Sequence, residues 1–240
     1  MAIFAISDLH LPFGINKPMN IFGKAWEDYT EKLYENWINT VTDEDTVILP
    51  GDFSWATYLE ESIADFQFLQ KLPGTKIIAK GNHDYFFTTM SKMEKFLAEE
   101  GFSSVKILHN NFFLVEDTLI CGSRGWDITA HGEEDEKLTN REAIRLELSI
   151  QAAKKAYPDL PILAFLHYPP IYKQNSEAKN PIREILEKYE IKHCYYGHLH
   201  AKGIENAFVG EYNGVNYQLI SADFLEFMPF CIQSNSVSAI

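Results

Sequence analysis

The sequence predicts an α/β fold in which two mixed β-sheets pack together and are flanked by helices. Strand-like runs alternate with helical patterns through the first half of the chain, which favours a largely parallel sheet. Two stretches rich in short strands and turns, Val105–Cys121 and Ala207–Gln233, predict antiparallel additions. The runs Thr46–Leu49 and Ile162–Leu166 are almost wholly apolar, as expected of strands that are buried on both faces.

Short runs of apolar, β-branched and aromatic residues define the predicted strands. In chain order they are Ile3–Ile6, Thr46–Leu49, Lys76–Ala79, Val105–Leu108, Asn111–Val115, Thr118–Cys121, Ile162–Leu166, His193–Tyr196, Ala207–Val209, Val215–Ile220 and Pro229–Gln233. The pair Asn213-Gly214, just before the run that begins at Val215, is typical of a tight hairpin turn.

The predicted helices separate several of these strands. They are Lys24–Thr40, Ser62–Leu72, Thr88–Glu100, Asn140–Ala156 and Pro181–Tyr189. Helical spacing places Trp26, Leu33 and Trp37 of the first helix along one face. The fourth helix opens with Thr139 and Glu142, which have the spacing of a capping box.

Length and charge restrict the class of protein. A chain of 240 residues suits one large α/β domain and is short for two, so we expect a single domain over residues 1–240. A formal net charge of -13 repels polyanions, which argues against generic binding to nucleic acid. The chain starts without the basic segment of a signal peptide and has no apolar run of bilayer length, so we expect a cytoplasmic protein without membrane contact. The sequence does not indicate the oligomeric state.

Metal-competent side chains follow the predicted apolar strands within a few residues. Ligands in open α/β sheets bind at the carboxyl ends of the strands, so these side chains can converge on one rim. Each group alone is weak evidence, because an Asp after a strand often caps a turn and a lone His is often structural. The ordered series makes coincidence a poor explanation. It consists of Asp8 and His10, then Asp52, then Asn82, His83 and Asp84, then His167, and finally His198 and His200.

This series resembles the calcineurin-like metallophosphoesterase superfamily. The motifs DLH, GD, GNHD, the single His167 and GHLH occur in the same order and extend from residue 8 to residue 200. The resemblance implies a double β-sandwich flanked by helices, with a two-metal site at the rim of the sheets. The second motif reads GDFSWA and lacks the arginine that protein serine/threonine phosphatases carry there. The chain is therefore more similar to the small bacterial predicted phosphohydrolases.

The resemblance also implies a set of metal ligands. One ion would be held by Asp8, His10 and His200, the other by Asn82, His167 and His198, and Asp52 would bridge the two. Mixed nitrogen and oxygen ligands suit manganese, iron or zinc, so two divalent or trivalent ions of these metals are the expected cofactors. The implied activity is hydrolysis of a phosphate monoester or diester of a small molecule or nucleotide, by attack of a metal-bridging hydroxide.

Catalytic roles follow from the same resemblance for the last two residues of GNHD. His83 would protonate the leaving oxygen or steady its charge, and Asp84 would hold the His83 imidazole. The alternative is that His83 only packs against the next strand. Trp55 and Trp126 line the substrate pocket in one interpretation, and only pack against other side chains in the other.

Further side chains are candidates for substrate contact. Arg124, in the segment GSRGW, suits bidentate contact with a phosphate, and a surface salt bridge is an equally good interpretation. His131 lies in the acidic segment Asp127–Lys137, which is either a mobile lid or a solvated loop. Asn16 and Lys17 follow the first metal motif and could overhang the site.

A catalytically silent, metal-bound scaffold that binds a protein partner is the competing hypothesis. Every motif position is filled, including His83, which a scaffold does not need, and this favours an enzyme. A closed structural zinc site is disfavoured, since the candidate ligands exceed the usual four. The sequence predicts a small phosphorylated substrate without identifying it, and leaves open whether that substrate is a monoester or a diester.

Overall fold

The computed structural model describes residues 1–15, 17–130, 132–177 and 180–234. The strands are β1 Ala2–Ala5, β2 Thr46–Leu49, β3 Thr75–Ile78, β4 Val105–Ile107, β5 Phe113–Val115, β6 Thr118–Ser123, β7 Ile162–Leu166, β8 His193–Tyr196, β9 Gly210–Tyr212, β10 Val215–Leu219 and β11 Phe230–Ser234. The α-helices are α1 Tyr29–Thr40, α2 Ile63–Lys71, α3 Met90–Glu99, α4 Glu133–Ala156 and α5 Pro181–Lys188.

The strands form two mixed sheets, as predicted. The first has the order β11-β1-β2-β3-β4 and the second the order β5-β6-β7-β8-β10-β9. Strands β1 to β4 are parallel, and so are β6, β7, β8 and β10. Strands β5, β9 and β11 are antiparallel additions at the edges. The parallel strands of each sheet therefore end on a common edge, which is where the candidate ligands follow them.

Three layers of apolar side chains hold the sheets and helices together. Ile48 of β2 and Phe165 of β7 belong to the layer between the two sheets. Their strand neighbours point the other way: Leu49 packs toward α1, α2 and α3, and Leu166 packs toward α4 and α5. All residues of β2 and β7 are buried, which confirms that both faces of these strands are covered. The result is a helix–sheet–sheet–helix arrangement.

The predicted hairpin turn is present between β9 and β10. Asn213 and Gly214 have φ values of 50° and 78°, the left-handed conformation that a two-residue hairpin turn of this type requires. The preceding strand is Gly210–Tyr212 rather than the predicted Ala207–Val209. Strand β4 was expected in an antiparallel addition, but it pairs in parallel with β3 in the first sheet.

Two helix boundaries differ from the prediction. Asp28 has a left-handed φ of 50°, which separates a short 3-10 turn at Lys24–Trp26 from α1. Helix α4 begins at Glu133 instead of Asn140, so the predicted capping box of Thr139 lies inside the helix, where the hydroxyl donates to the carbonyl of Asp135 at 2.9 Å. The acidic residues of its first turn stabilise this earlier start through the helix dipole.

Part of the predicted acidic loop is consequently helical. Residues 133–137 of that segment belong to α4, while His131 lies outside the described residues. In the described part of the chain, no helix combines the length and apolar character needed to cross a bilayer.

Candidate metal centre

Two groups of potential metal ligands lie at the common edge of the sheets. Each side chain of a group offers an atom within 4.8 Å of the others. Strands β1 and β2 of one sheet and β7 and β8 of the other supply them, so the site spans both sheets. One group consists of Asp8, His10 and His200, and the other of Asp52, His167 and His198.

In the first group, three side chains from two sheets point at a common centre. Asp8 Oδ1 lies 3.2 Å from His200 Nε2. The Nε2 atoms of His10 and His200 are 3.3 Å apart. The rings of these histidines meet edge to face, with centroids 5.2 Å apart. An oxygen and two ring nitrogens are therefore within reach of one ion.

The second group includes a further ligand type. His167 Nε2 is 2.7 Å from Asn82 Oδ1 and 3.5 Å from Asp52 Oδ2. The same Asp52 oxygen is 3.8 Å from His10 Nε2 in the first group. Asp52 thus lies between the two groups, in the position expected for a shared ligand.

The backbone turns sharply where the strands deliver these ligands. Asp8, His10, Asp52 and His198 have φ values of 62°, 46°, 51° and 73°. Non-glycine residues avoid this left-handed region, and each instance costs on the order of 1–3 kcal/mol. Such strain concentrates at functional sites, because surrounding contacts must hold it in place.

The glycines that precede two of the ligand motifs leave room for carboxylates. A Cβ at Gly81 would collide with the carboxylate of Asp52, and one at Gly197 would collide with that of Asp8. The amide after Gly197 uses this closeness: His198 N donates to Asp8 Oδ2 at 2.9 Å. These glycines are required because a ligand from another strand occupies the space of their missing side chain: one from the adjacent strand at Gly81 and one from the other sheet at Gly197.

Asp84 does not have the contact that was expected of it. The prediction paired it with the His83 imidazole, but its carboxylate accepts hydrogen bonds from backbone N–H groups. Asp84 Oδ2 accepts from Asp52 at 2.8 Å and from Gly81 at 2.7 Å, and its Oδ1 accepts from Phe53 and Ser54. The fully buried carboxylate therefore fixes the loop that follows β2 against the loop that follows β3.

His83 lies next to both groups. Its backbone N–H donates to Asp52 Oδ1 at 2.8 Å, and its half-buried ring lies 4.6 Å from Trp55 and 5.7 Å from His10, centroid to centroid. Burial, followed by repulsion from Lys17, lowers the pKa of His83. A negatively charged ligand beside the ring would raise it again.

The charge states of the site suit cation binding. Burial lowers the pKa of His10 well below its usual value and that of His167 to about 3, so both rings are neutral and keep a free lone pair. Burial alone would raise the pKa of Asp8, but His200, His167 and His10 hold it well below its usual range. Burial, with Asp84 and Asp8 nearby, raises the pKa of Asp52, which indicates crowded negative charge.

The donor atoms fit metal ions. Asp8 Oδ1 is buried and faces two ring nitrogens, His200 Nε2 at 3.2 Å and His167 Nδ1 at 3.8 Å. A buried carboxylate is costly unless its charge is balanced, and a cation held between this oxygen and the ring nitrogens would balance it. Carboxylate, amide and imidazole donors together match manganese, iron and zinc.

Asp223 is a site residue that the sequence analysis missed. Its Oδ1 lies 2.9 Å from His200 Nδ1, and this contact directs Nε2 of the same ring toward Asp8. Metal-binding histidines commonly have such a carboxylate partner. The position of Asp223 could have indicated this role, since Asp223 follows the carboxyl end of β10 at the same edge of the sheets. No motif surrounds it, however, so the sequence pattern did not single it out.

An aromatic wall covers the first group. Trp55 stacks on the His10 ring at 4.5 Å between centroids, and Trp26 meets the same ring edge-on at 6.0 Å. Lys17 Nζ lies 3.0 Å from the centroid of the Trp55 ring, so this predicted overhanging residue is indeed close to the site. Asn16 lies outside the described residues.

Arg124 lies in a pocket beside the ligand groups rather than among them. Its guanidinium lies 4.7 Å from the Trp126 ring centroid and 4.0 Å from the carboxylate of Glu142. The alternative of a salt bridge is therefore present, but the Arg124 side chain is only 18% exposed, so the pair is partly buried rather than on the surface.

The family match agrees with this geometry. The family described as Calcineurin-like phosphoesterase matches residues 1–202. The chain belongs to that family. It is a family of metal-dependent phosphoesterases, and the two ligand groups lie within the matched residues. No curated protein matches the chain.

Solved structures share the fold at low sequence identity. A protein of unknown function from Aquifex aeolicus, AQ665, is 18% identical with a TM-score of 0.50, over 96% of this chain and 95% of that one. The protein TT1561 of Thermus thermophilus is 16% identical with a TM-score of 0.55, over 82% and 81%. Phosphopantetheinyl hydrolase from Mycobacterium tuberculosis is 14% identical with a TM-score of 0.53, over 100% and 98%.

Proposed function

We propose that this protein hydrolyses a phosphate monoester or diester of a small molecule or nucleotide with the help of two metal ions. The observation that carries the proposal is the position of Asp52, within 3.8 Å of His10 and within 3.5 Å of His167, between two complete ligand groups. The family membership and the fold shared with a phosphopantetheinyl hydrolase support a phosphoesterase.

Each ligand has a proposed role. Two ions, manganese, iron or zinc, would activate water and withdraw charge from the phosphate ester. Asp52 would be shared between the two ions, and the backbone N–H of His83 fixes the orientation of its buried carboxylate. Asp8, His10 and His200 would hold one ion, and Asn82, His167 and His198 would hold the other.

His83 is the proposed acid for the leaving group. His83 belongs to neither ligand group, but its ring lies 5.7 Å from that of His10 and its backbone N–H donates to Asp52, so the ring can hold a proton near the departing oxygen. Asp84 acts on His83 indirectly, because it fixes the loops that carry His83 and Asp52. Trp55 shields this side of the site from water.

The expected substrate is small. The net charge of -13 repels long polyanions, and a phosphate ester would be attracted only where cations accumulate locally. Lys17, beside Trp55, supplies one such cation on the side of His83.

The test is metal-dependent hydrolysis. The purified protein is stripped of metal, supplied with manganese, iron or zinc, and assayed with bis-p-nitrophenyl phosphate and with p-nitrophenyl phosphate. We expect turnover that needs metal, and the ratio of the two rates separates diesters from monoesters. Asp52→Asn should lose metal and activity together, whereas the exposed Asp117→Asn should lose neither. Full metal occupancy without turnover of any ester would favour the scaffold instead.

A further inference from the structure

A second pocket, rich in cationic side chains, opens beside the proposed metal centre. This basic pocket has a volume of about 190 Å³. It lies where the carboxyl ends of β3, β4 and β6 meet α4, which closes its outer side. Its charged and titratable lining consists of Lys80, His109, Arg124, Arg141, Glu142 and Arg145.

One buried carboxylate forms ion pairs with three arginines in this pocket. Glu142 Oε1 lies 2.8 Å from Arg145 Nη1, 3.5 Å from Arg141 Nε and 4.0 Å from Arg124 Nη2. The Glu142 side chain is only 1% exposed, so water screens its charge poorly, whereas the Arg141 and Arg145 side chains remain partly exposed. Lys80 adds a fourth cation, and the pocket therefore carries excess positive charge inside a strongly acidic protein.

Arg124 retains a donor without a protein acceptor: its Nε is buried and has no hydrogen-bond acceptor among the described residues. Burial, with repulsion from Arg141 and Arg145, lowers the pKa of Arg124, although Glu142 opposes the shift. Like charges crowded at low exposure are stabilised by an anion, and planar guanidinium groups suit the oxygens of a phosphate.

The basic pocket is adjacent to the second ligand group. Strands β6 and β7 are parallel neighbours, with Ser123 paired to Leu166, so Arg124 and His167 occupy equivalent positions one residue beyond. Neighbouring strands are about 4.8 Å apart. On the other side, Lys80 precedes Asn82 by two residues. Residues of the basic pocket and of the second ligand group therefore follow adjacent strands of one sheet.

We propose that the basic pocket binds the second phosphate group of a substrate that carries two, while the first phosphate lies at the metal centre. This inference rests on the proposed function, because it assigns that function a substrate class. A doubly charged phosphate matches the excess charge better than a single carboxylate does, and it has enough oxygens for several guanidinium donors. The same chemistry would accept free inorganic phosphate, which the experiment must distinguish.

The first arm measures anion binding without metal. The full-length protein is freed of metal with a chelator, dialysed, and titrated calorimetrically with inorganic phosphate. We expect binding that weakens at least about tenfold in Arg124→Gln and in Arg145→Gln. Arg141→Gln, whose side chain is 50% exposed, should weaken it without threatening the fold. Lys155→Gln removes the same charge from an exposed position of α4 and should bind as the wild type does. Equal phosphate binding in all variants would overturn the assignment.

The second arm compares substrates that differ by one phosphate. Phosphate release is measured from adenosine 5′-monophosphate against adenosine 3′,5′-bisphosphate, and from glucose 6-phosphate against glucose 1,6-bisphosphate. We expect a KM at least about tenfold lower for one or both bisphosphates, lost in Arg124→Gln and Arg141→Gln but kept in Lys155→Gln. Turnover with equal KM values in both pairs, despite phosphate binding in the first arm, would mean a site for free phosphate and would reject the substrate class. No turnover of any ester, with phosphate binding intact, would instead reject the proposed function.

Discussion

Among the residues of the site, His83 has a proposed role that metal binding alone cannot test. We expect His83→Ala to keep both metals and to lower kcat by about 10²–10⁴-fold, because it removes a proton donor and no ligand. The loss should be larger for an alkyl phosphate than for a p-nitrophenyl ester, since a nitrophenolate leaves without protonation. Metal content and kcat on both esters are the measurements. His193→Ala, at an exposed position of β8, is the control. Near wild-type kcat on the alkyl ester would leave His83 with a packing role.

His200 predicts a pH dependence of metal binding. Burial alone would lower its pKa, but Asp8 and Asp223 raise it to about 10, so His200 carries a proton at neutral pH in the metal-free protein. A metal ion at Nε2 must displace that proton, and the apparent affinity should rise with pH, by about tenfold per pH unit for one proton, until pH approaches 10. Calorimetry in buffers of different ionisation enthalpy measures the protons released.

The variant Asp223→Asn distinguishes the proton released from His200 from protons released by other groups. Asp223→Asn removes one of the two carboxylates that hold it, so the release should move to lower pH, while Asp117→Asn on the surface should change nothing. Metal binding that releases no proton at neutral pH in the wild type would contradict the assignment of His200 as a ligand.

The sequence predicts the candidate ligands better than it predicts the residues that support them. Asp8, Asn82 and His198 stand in motifs at strand ends, and a motif can be read locally. Asp84 and Asp223 act through contacts with distant loops, so their partners depend on how the strands are ordered in the sheets. The pairing of Asp84 with backbone amides, instead of the neighbouring His83 ring, was for this reason not predictable.

At the scale of the elements, the turn from β8 into the GHLH loop depends on Gly197. In Gly197→Ala the new Cβ would meet the carboxylate of Asp8 and the side chain of Ser7, and both must move. We expect a loss of about 1–3 kcal/mol in the free energy of unfolding, together with weaker metal binding. Thermal unfolding and metal titration measure the two effects.

The matched control lies a few residues farther along the chain. At Gly203 the nearest atom to a new Cβ is 3.7 Å away, in ordinary contact, so Gly203→Ala should leave stability and metal affinity close to the wild type. If both alanine variants behaved alike, the close approach of Gly197 to Asp8 would not be what the glycine is needed for.

The boundaries of strands and helices were predictable where the hydrophobic pattern of the sequence matched the burial of the segment in the fold. Strands β2, β7 and β8 coincide with their predicted ranges because each is a short apolar run at a sheet centre. Helix α4 starts earlier than predicted because its first turns are exposed and acidic, so apolar periodicity does not mark them. The break before α1 is caused by the left-handed backbone of a single residue, Asp28, which no sequence pattern predicts.

For the whole molecule, alternation of strands and helices predicted the parallel sheets, and the hairpin-rich segments predicted their antiparallel edges. The sequence did not show which sheet β4 would join, because β4 is short and pairing depends on the available edge of β3. A single domain over residues 1–240 remains a prediction, supported by the apolar layer that the two sheets share.

The candidate metal centre draws its ligands from both sheets, so removing bound metals should weaken the whole fold. Ligands from β1 and β2 face ligands from β7 and β8, and without cations the crowded carboxylates Asp8, Asp52 and Asp84 repel one another. Each ion at about 100 times its Kd stabilises the folded state by about 2.7 kcal/mol, so two ions contribute about 5 kcal/mol. For a chain of this size, each kcal/mol shifts Tm by about 2–4 °C. We therefore expect a chelator to lower Tm by about 10–20 °C, and manganese to restore it.

The control for this measurement is Asp52→Asn, which removes the shared ligand and relieves part of the repulsion. Its Tm should respond little to the chelator and should lie above that of the metal-free wild type, because the neutral amide no longer repels Asp8 and Asp84. An equal chelator effect on the wild type and Asp52→Asn would show that the metals act elsewhere. A metal-loaded wild type whose Tm ignores the chelator would mean that the sheets are held together by their shared apolar layer alone.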